Sequence, residues 1–489
     1  MNKIFSLDTS LRLIALLITS VFILFFLFFL FHSGFVDSYS LINTLLLLWI
    51  IGYKSIYLLI LSFDKNFIYL LFTPFIWYKI VSLIFYGVGP SAYYFGNDIT
   101  VTYMHNYYFT SNETLHKIIN IYLIIILSID LLIMIYNSIF DLNFKKQINK
   151  IDMKLFLYYV LGLGIFFKYF LAVPLTIAGV GYPGVINQFT RFILIGLFIA
   201  YTLGFENKFY KKMFYIILSV EFLSSFLLLS KEPILITAIF ATFIILYYSF
   251  NFKQLIINAL LLISVYSFIQ PVFSILRSAD SNTFGITSVS ELSEAYSTIQ
   301  VFYSDNFSQS IARNYQGWWA RISYVNYQAF AVDAYNKGYN GDTFENNKYI
   351  LIPRLLYPEK PNMNSGTKYH HLVTNKLDLN NPNNTGPGIF FEAYWNGGFV
   401  YLFMVIFYFS TLLFFISKII VQNLIQKNYL ILFLSVNAIY LGRGIDDWFS
   451  ARYGTFILYV ILIYLANVLI YNSLQYFVLN AEHNKLEKI

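Results

Sequence analysis

Cysteine is absent from all 489 residues, which excludes disulfides, thiol nucleophiles and thiolate metal sites. Charge is scarce: Asp, Glu, Lys and Arg make up 12% of the chain, against roughly 25% in a soluble globular domain. No GxxxxGK[ST] loop, HExxH helix or GxSxG elbow occurs, so common signatures of nucleotide binding, zinc hydrolysis and serine hydrolysis are missing. What fills the chain is apolar. Hydrophobic residues account for 58% and aromatics for 21%, and mean hydropathy is +0.62.

The apolar residues come in blocks long enough to cross a bilayer, each needing roughly 20 residues. They fall at 11–31, 41–61, 67–87, 118–140, 155–177, 190–203, 213–229, 234–250, 255–276, 399–417, 430–441 and 455–471. The sixth and eleventh are short and must tilt, borrow neighbours or re-enter. The pattern predicts an all-α polytopic membrane protein of about 12 transmembrane helices. Its expected parts are an N-terminal bundle of helices 1–9 (1–276), a large extracytoplasmic loop region with short helices between helices 9 and 10 (277–398), and helices 10–12 with a cytoplasmic tail (399–489). The first block follows Lys3 and Arg12, exceeds a signal-peptide core and lacks a small-residue cleavage site, so it reads as a retained helix.

The net charge is +7. Its lysines lie in short connections between blocks, which points to membrane topology and away from nucleic acid. Lys145, Lys146, Lys150, Lys154, Lys208, Lys211, Lys212, Lys253, Lys418, Lys427, Lys485 and Lys488 all fall on the side of the N-terminus. The positive-inside rule makes that side, and both termini, cytoplasmic. The opposite side then holds the 88–117 loop, the 179–184 turn, the long 277–398 stretch and 442–454. Within the long stretch, 311–337 is a candidate amphipathic helix. The Pro/Asn/Gly-rich part 353–388 reads as loop.

Charges near the bilayer are costly and default to functional candidates. Arg191, Lys231, Arg277 and Arg443 sit at outer ends of predicted helices, and Arg354, Lys360 and Glu392 come from the long loop. Together they are candidates to line one outward-facing cavity in which guanidinium forks and ammoniums hold phosphate oxygens. Taken singly, each outer arginine also fits a snorkelling or salt-bridged role. Glu392, in an aromatic segment, is a candidate base, with a salt bridge to an outer arginine or a cap for the next helix as the plain alternatives; His370 and His371 are the next candidates for taking a proton from a hydroxyl. Lys79, Lys168 and Asp130 lie inside apolar blocks and need internal partners or, for the lysines, a snorkelling path. Pro74, Pro174 and Pro271 are expected kinks.

Three stretches resemble a known family. They are Leu227-Leu-Leu-Ser-Lys-Glu-Pro, Ile352-Pro-Arg-Leu-Leu-Tyr-Pro-Glu-Lys-Pro-Asn and Asn384-Thr-Gly-Pro-Gly-Ile-Phe-Phe-Glu-Ala-Tyr-Trp-Asn-Gly-Gly-Phe-Val. With the late outer loop, they make the chain similar to bacterial oligosaccharide repeat-unit polymerases of the Wzy type, which assemble O-antigen and capsular polysaccharide. Lys231 departs from the pattern, standing where arginine is common. The resemblance implies a polymerase/ligase membrane architecture, in the bacterial inner membrane, acting on undecaprenyl-diphosphate-linked oligosaccharides at the extracytoplasmic face. It implies no nucleotide sugar, no metal and no other cofactor, and a possible chain-length regulator and flippase as partners. Arg191, Lys231, Arg277, Arg354, Lys360 and Arg443 would hold diphosphates. Trp318, Trp319, Tyr394 and Trp395 are candidates to stack on sugars. A ligase, a flippase or transporter for lipid-linked oligosaccharide, and a non-enzymatic assembly subunit remain alternatives.

Overall fold

The computed structural model describes residues 67–95, 98–105, 107–140, 152–178, 184–228, 231–249, 322–349, 365–374 and 385–486, with single positions and short runs among 180–182, 253–297 and 352–359. Regular structure among the described residues is entirely helical. Among the described residues, five helices are long and apolar enough to cross a membrane: Asn112–Ile133, Met153–Ile177, Gly184–Leu203, Ile389–Ile425 and Tyr429–Asp446. Pro74–Val88, Glu232–Tyr248 and Val460–Tyr476 are shorter apolar helices. The predicted blocks 11–31 and 41–61 lie outside the described residues, as does most of 255–276 and of the segment 277–321.

Local chemistry explains where these helices begin. The first N–H groups of a helix have no internal partner, and a short polar side chain just upstream supplies one. Ser111 accepts from Thr114 N, Asp152 from Lys154 N and Leu155 N, and Asn207 from Phe209 N. Pro74 starts a helix instead of kinking one: it occupies the first turn of Pro74–Ser82, where its missing N–H costs nothing. That helix continues through a π-helical stretch, Leu83–Val88, into Gly89–Phe95. A second π-helical stretch, Phe166–Ala172, leads into Val173–Ile177 and lies over the turn that the ring of Pro174 would crowd. Pro271 is outside the described residues. The short sixth block gains its length upstream, where Gly184–Thr190 and Phe192–Leu203 join through a turn at Arg191.

The chain divides into two compact units. The first comprises Met1–Lys145, Trp319–Gln422 and Ala438–Leu458. Here the Asn112–Ile139 and Ile389–Ile425 helices run parallel. Tyr122 meets Phe391 edge-on at 5.0 Å, Tyr136 and Thr411 share a hydroxyl hydrogen bond at 2.9 Å, and Lys418 donates to the carbonyl of Phe140. Lys418, expected in a connecting loop, is buried within its helix. Its ammonium sits on the C-terminal carbonyl of the neighbouring helix, where the helix dipole favours a cation. Asp130 finds its partner in Lys79, at 2.6 Å. Gly442 lets Leu432–Arg443 lie against Pro74–Ser82: a Cβ there would meet Pro74 O at 1.9 Å.

The second unit comprises Lys146–Trp318, Asn423–Asn437 and Tyr459–Ile489. Met153–Ile165 packs on Phe192–Leu203, followed by Lys208–Leu227 and Lys231–Tyr248. Phe433 stands at the centre, 5.4 Å from Phe156 and 5.0 Å from Phe192 between ring centroids. Tyr471 closes on Phe156 at 5.1 Å, and its hydroxyl donates to Asp152 O at 2.9 Å.

Candidate functional site

In the first unit a polar and aromatic layer covers one end of the parallel helices. Its foundation is Val325–Asn336, which packs on the first turns of Asn112–Ile139. Asp333 accepts from the hydroxyls of Tyr108 (3.0 Å) and Thr114 (2.7 Å), and Tyr122 donates to Gln328. Burial, then the Asp333 charge, pushes the Tyr108 hydroxyl up to about 12. The region 353–388, read from sequence as loop, holds a helix at Gly366–Thr374. No proline lies between Pro361 and Pro382, and Tyr369 and Val373, one turn apart, bury the same face.

Tyr369 is the centre of this layer. Its hydroxyl donates to Tyr327 O at 2.6 Å, and its ring meets Trp395 at 5.1 Å, Trp448 at 5.2 Å and Phe330 at 5.5 Å. Burial first, then the neighbouring Tyr327, Tyr108 and Glu392, holds its pKa well above the ordinary tyrosine value. Next to it in sequence, His370 places Nδ1 3.3 Å from the Tyr327 hydroxyl, with the two rings stacked at 6.2 Å. His371 follows, its ring 6.2 Å from that of His370.

Glu392 is 0% exposed. Its Oε2 accepts the N–H of Phe449 at 2.5 Å, the first residue of the Phe449–Leu486 helix. A carboxylate at a helix N-terminus satisfies an orphan donor and meets the positive end of the dipole. The helix held in this way is Phe449–Leu486, distant in sequence, not the helix that Glu392 itself opens. The segment before Glu392 fits closely: Gly388 has φ +81° and passes so near Ile445 that a Cβ would lie 2.8 Å from its carbonyl oxygen. Asn396 ties a further segment down, donating to Thr343 Oγ1 at 2.8 Å and accepting from Phe344 N at 3.1 Å. Trp395 Nε1 donates to Tyr339 O at 3.0 Å. The helix then breaks at Gly397 and Gly398, the latter at φ +60° and ψ −146° beneath the Tyr335 hydroxyl.

Arg443 ends the Leu432–Arg443 helix in the same unit, its guanidinium 5.9 Å from the centre of the Tyr440 ring. Glu392, His370, His371 and Arg443 therefore all belong to the first unit. Arg191 belongs to the second; its Nη1 donates to Gln188 Oε1 at 2.5 Å and Asn437 Oδ1 at 3.4 Å. Lys231 is also in the second unit, at the first position of Lys231–Tyr248. Arg277, Arg354, Lys360, Trp318 and Trp319 lie outside the described residues. Tyr394 and Trp395 are both largely buried and pack within the protein.

Sequence reasoning passed over Tyr327, Tyr369 and Trp448. Tyrosine is too common here, at 43 residues, for any one to stand out. Glu221 was also passed over, though an acid inside an apolar block was the signal that flagged Asp130. Chemically, the layer offers an imidazole beside a phenol for proton transfer; the indoles of Trp395 and Trp448 are buried against Tyr369, and the same unit holds the Arg443 guanidinium. Comparison of the chain with protein families, curated proteins and solved structures returns no match.

Proposed function

We propose that the chain is a metal-independent membrane glycosyltransferase that polymerises undecaprenyl-diphosphate-linked oligosaccharide repeat units on the extracytoplasmic face. The observation that carries this reading is the His370–Tyr327 pair, set in an aromatic layer on membrane-length helices. The three sequence stretches similar to repeat-unit polymerases supply the substrate class. In this reading the layer faces the periplasm or exterior and O-antigen or capsular polysaccharide is the product.

His370 takes the proton from the acceptor hydroxyl of a new repeat unit as that oxygen bonds to the anomeric carbon of the growing chain. The anomeric C–O bond to undecaprenyl diphosphate breaks, and the diphosphate leaves with the electron pair. Arg443 stabilises the negative charge on that leaving group. Arg191, Lys231, Arg277, Arg354 and Lys360 are the further diphosphate-binding residues of the proposal. Glu392 holds the Phe449–Leu486 helix against the layer, so that its contribution is positional.

The test is reconstitution of the purified chain in vesicles with a purified lipid-linked repeat unit. Polymer longer than one unit supports the proposal, and loss of polymer in His370→Gln with normal protein levels supports the assigned base. A second reading, a transporter of lipid-linked oligosaccharide, is favoured by the Lys79–Asp130 and Lys168–Glu221 pairs at membrane depth. Movement of unpolymerised substrate across the vesicle wall would select it.

A further inference from the structure

In the second unit, four polar side chains meet between two apolar helices. Lys168 Nζ lies 2.5 Å from one oxygen of Glu221, and the Tyr169 hydroxyl donates to the other at 2.6 Å. Ser224 extends the group, 3.3 Å from the Tyr169 oxygen. Glu221 is only 4% exposed. As a device for stability this is a poor choice. Two charges withdrawn from water seldom recover their desolvation cost, and apolar residues of similar size usually hold two helices at least as well.

Two further features point to a ligand. Lys168 and Tyr169 sit on the π-helical stretch Phe166–Ala172, an irregularity found preferentially at functional sites. The polar group also adjoins an exposed face: Phe166, Phe170 and Leu223, on the two helices that carry it, are 51%, 67% and 61% exposed. In the proposed membrane setting this apolar face is the side from which a lipid would approach. Lys168 is nine residues before Ile177, the end of its helix, about 14 Å along it at 1.5 Å per residue, so a headgroup reaches it by being drawn inward along the helix. Phe167 stacks on Phe189 at 4.4 Å, two residues before Arg191, so a second cation stands on the adjoining helix.

We infer that Lys168 and Tyr169 form a site for the phosphate of a lipid headgroup entering from the bilayer, with Glu221 as the resident carboxylate that the phosphate replaces and Ser224, donating to Glu221 O at 3.1 Å, beside them. The Lys168 ammonium and the Tyr169 hydroxyl, each reaching one oxygen of the carboxylate, present the same donors to two oxygens of a phosphate. Neutralising Glu221 removes the competitor; removing the Lys168 charge removes the principal attraction. The inference rests on the membrane setting and is independent of glycosyl transfer.

The experiment uses the full chain in nanodiscs, with retention of undecaprenyl phosphate and of phosphatidylglycerol measured separately by native mass spectrometry. Glu221→Gln raises retention and Lys168→Met lowers it, each by about tenfold, the scale of one charge-assisted hydrogen bond. The double variant Lys168→Met/Glu221→Leu, which leaves no buried charge, folds and retains neither lipid above background. Lys168-dependent retention of the polyprenyl phosphate alone identifies a carrier site; equal dependence for both lipids identifies a general phospholipid site. Retention unchanged in Lys168→Met, or lost equally in Glu221→Gln, overturns the inference and leaves the pair a lock between helices. A chain inactive in polymerisation still gives this readout.

Discussion

Single residues in this protein are most informative where charge meets an apolar setting. Lys79 is 10% and Asp130 26% exposed at the side chain, so each depends on the other. Removing one partner leaves an uncompensated charge and costs about 3 kcal/mol or more, whereas replacing both by apolar residues costs much less. Thermal unfolding in detergent should therefore rank Lys79→Met well below Lys79→Met/Asp130→Leu; equal losses would mean that the pair is not coupled. His105 gives a second test. Its Nδ1 accepts from Thr110 N at 3.3 Å, and burial lowers its pKa. The folded state thus prefers the neutral ring. Its stabilising contribution is complete above the unfolded value near 6.5 and is lost as pH falls through the lowered folded value. His105→Gln should flatten the fall in melting temperature between about pH 7 and 5; an unchanged slope would assign the pH response to other groups.

Whole elements are set by contacts that connect distant stretches of chain. The long helix from Ile389 to Ile425 is broken by Gly397 and Gly398 because Gly398 takes φ +60° under the Tyr335 hydroxyl. Gly398→Ala forces a side chain into a left-handed backbone and into that hydroxyl, at a cost of about 2–4 kcal/mol. Tyr335→Phe should recover only the part due to the hydroxyl, because the ring carbon Cζ stays 2.7 Å from the added Cβ. Glu392 is the matching device at the C-terminal helix. Glu392→Ala removes its bond to Phe449 N and lowers stability by about 1–2 kcal/mol. Hydrogen exchange at Phe449 and the following turn should rise in this variant, and protection equal to the parent would remove the capping role.

The molecule as a whole presents two units with different polar equipment. The first carries His370, Tyr327, Glu392 and Arg443 with an aromatic layer; the second carries Arg191 and the Lys168–Glu221 group. For the proposed reaction, His370→Gln and Arg443→Ala should each abolish long glycan while leaving protein in the membrane, read as a collapsed ladder on a glycan gel. Ladders of parental length in both would remove the catalytic assignment.

How much could be read without coordinates follows from the range of the forces concerned. Whether a stretch such as 118–140 or 155–177 forms a membrane-length helix depends on apolar surface summed over neighbours in the chain, so composition alone located these helices. The caps at Ser111, Asp152 and Asn207 are local in the same sense. The helix at Gly366–Thr374 was hidden because the prolines and asparagines around it outweigh a single buried face. Partners were not legible at all. Lys79 and Asp130, 51 residues apart, and Lys168 and Glu221, 53 apart, meet only because each helix has a particular rotation and height. Those are decided by close packing at places such as Gly442 against Pro74. An apolar run fixes that a helix is buried in something; side-chain interlock fixes which face it turns, and therefore which charges meet.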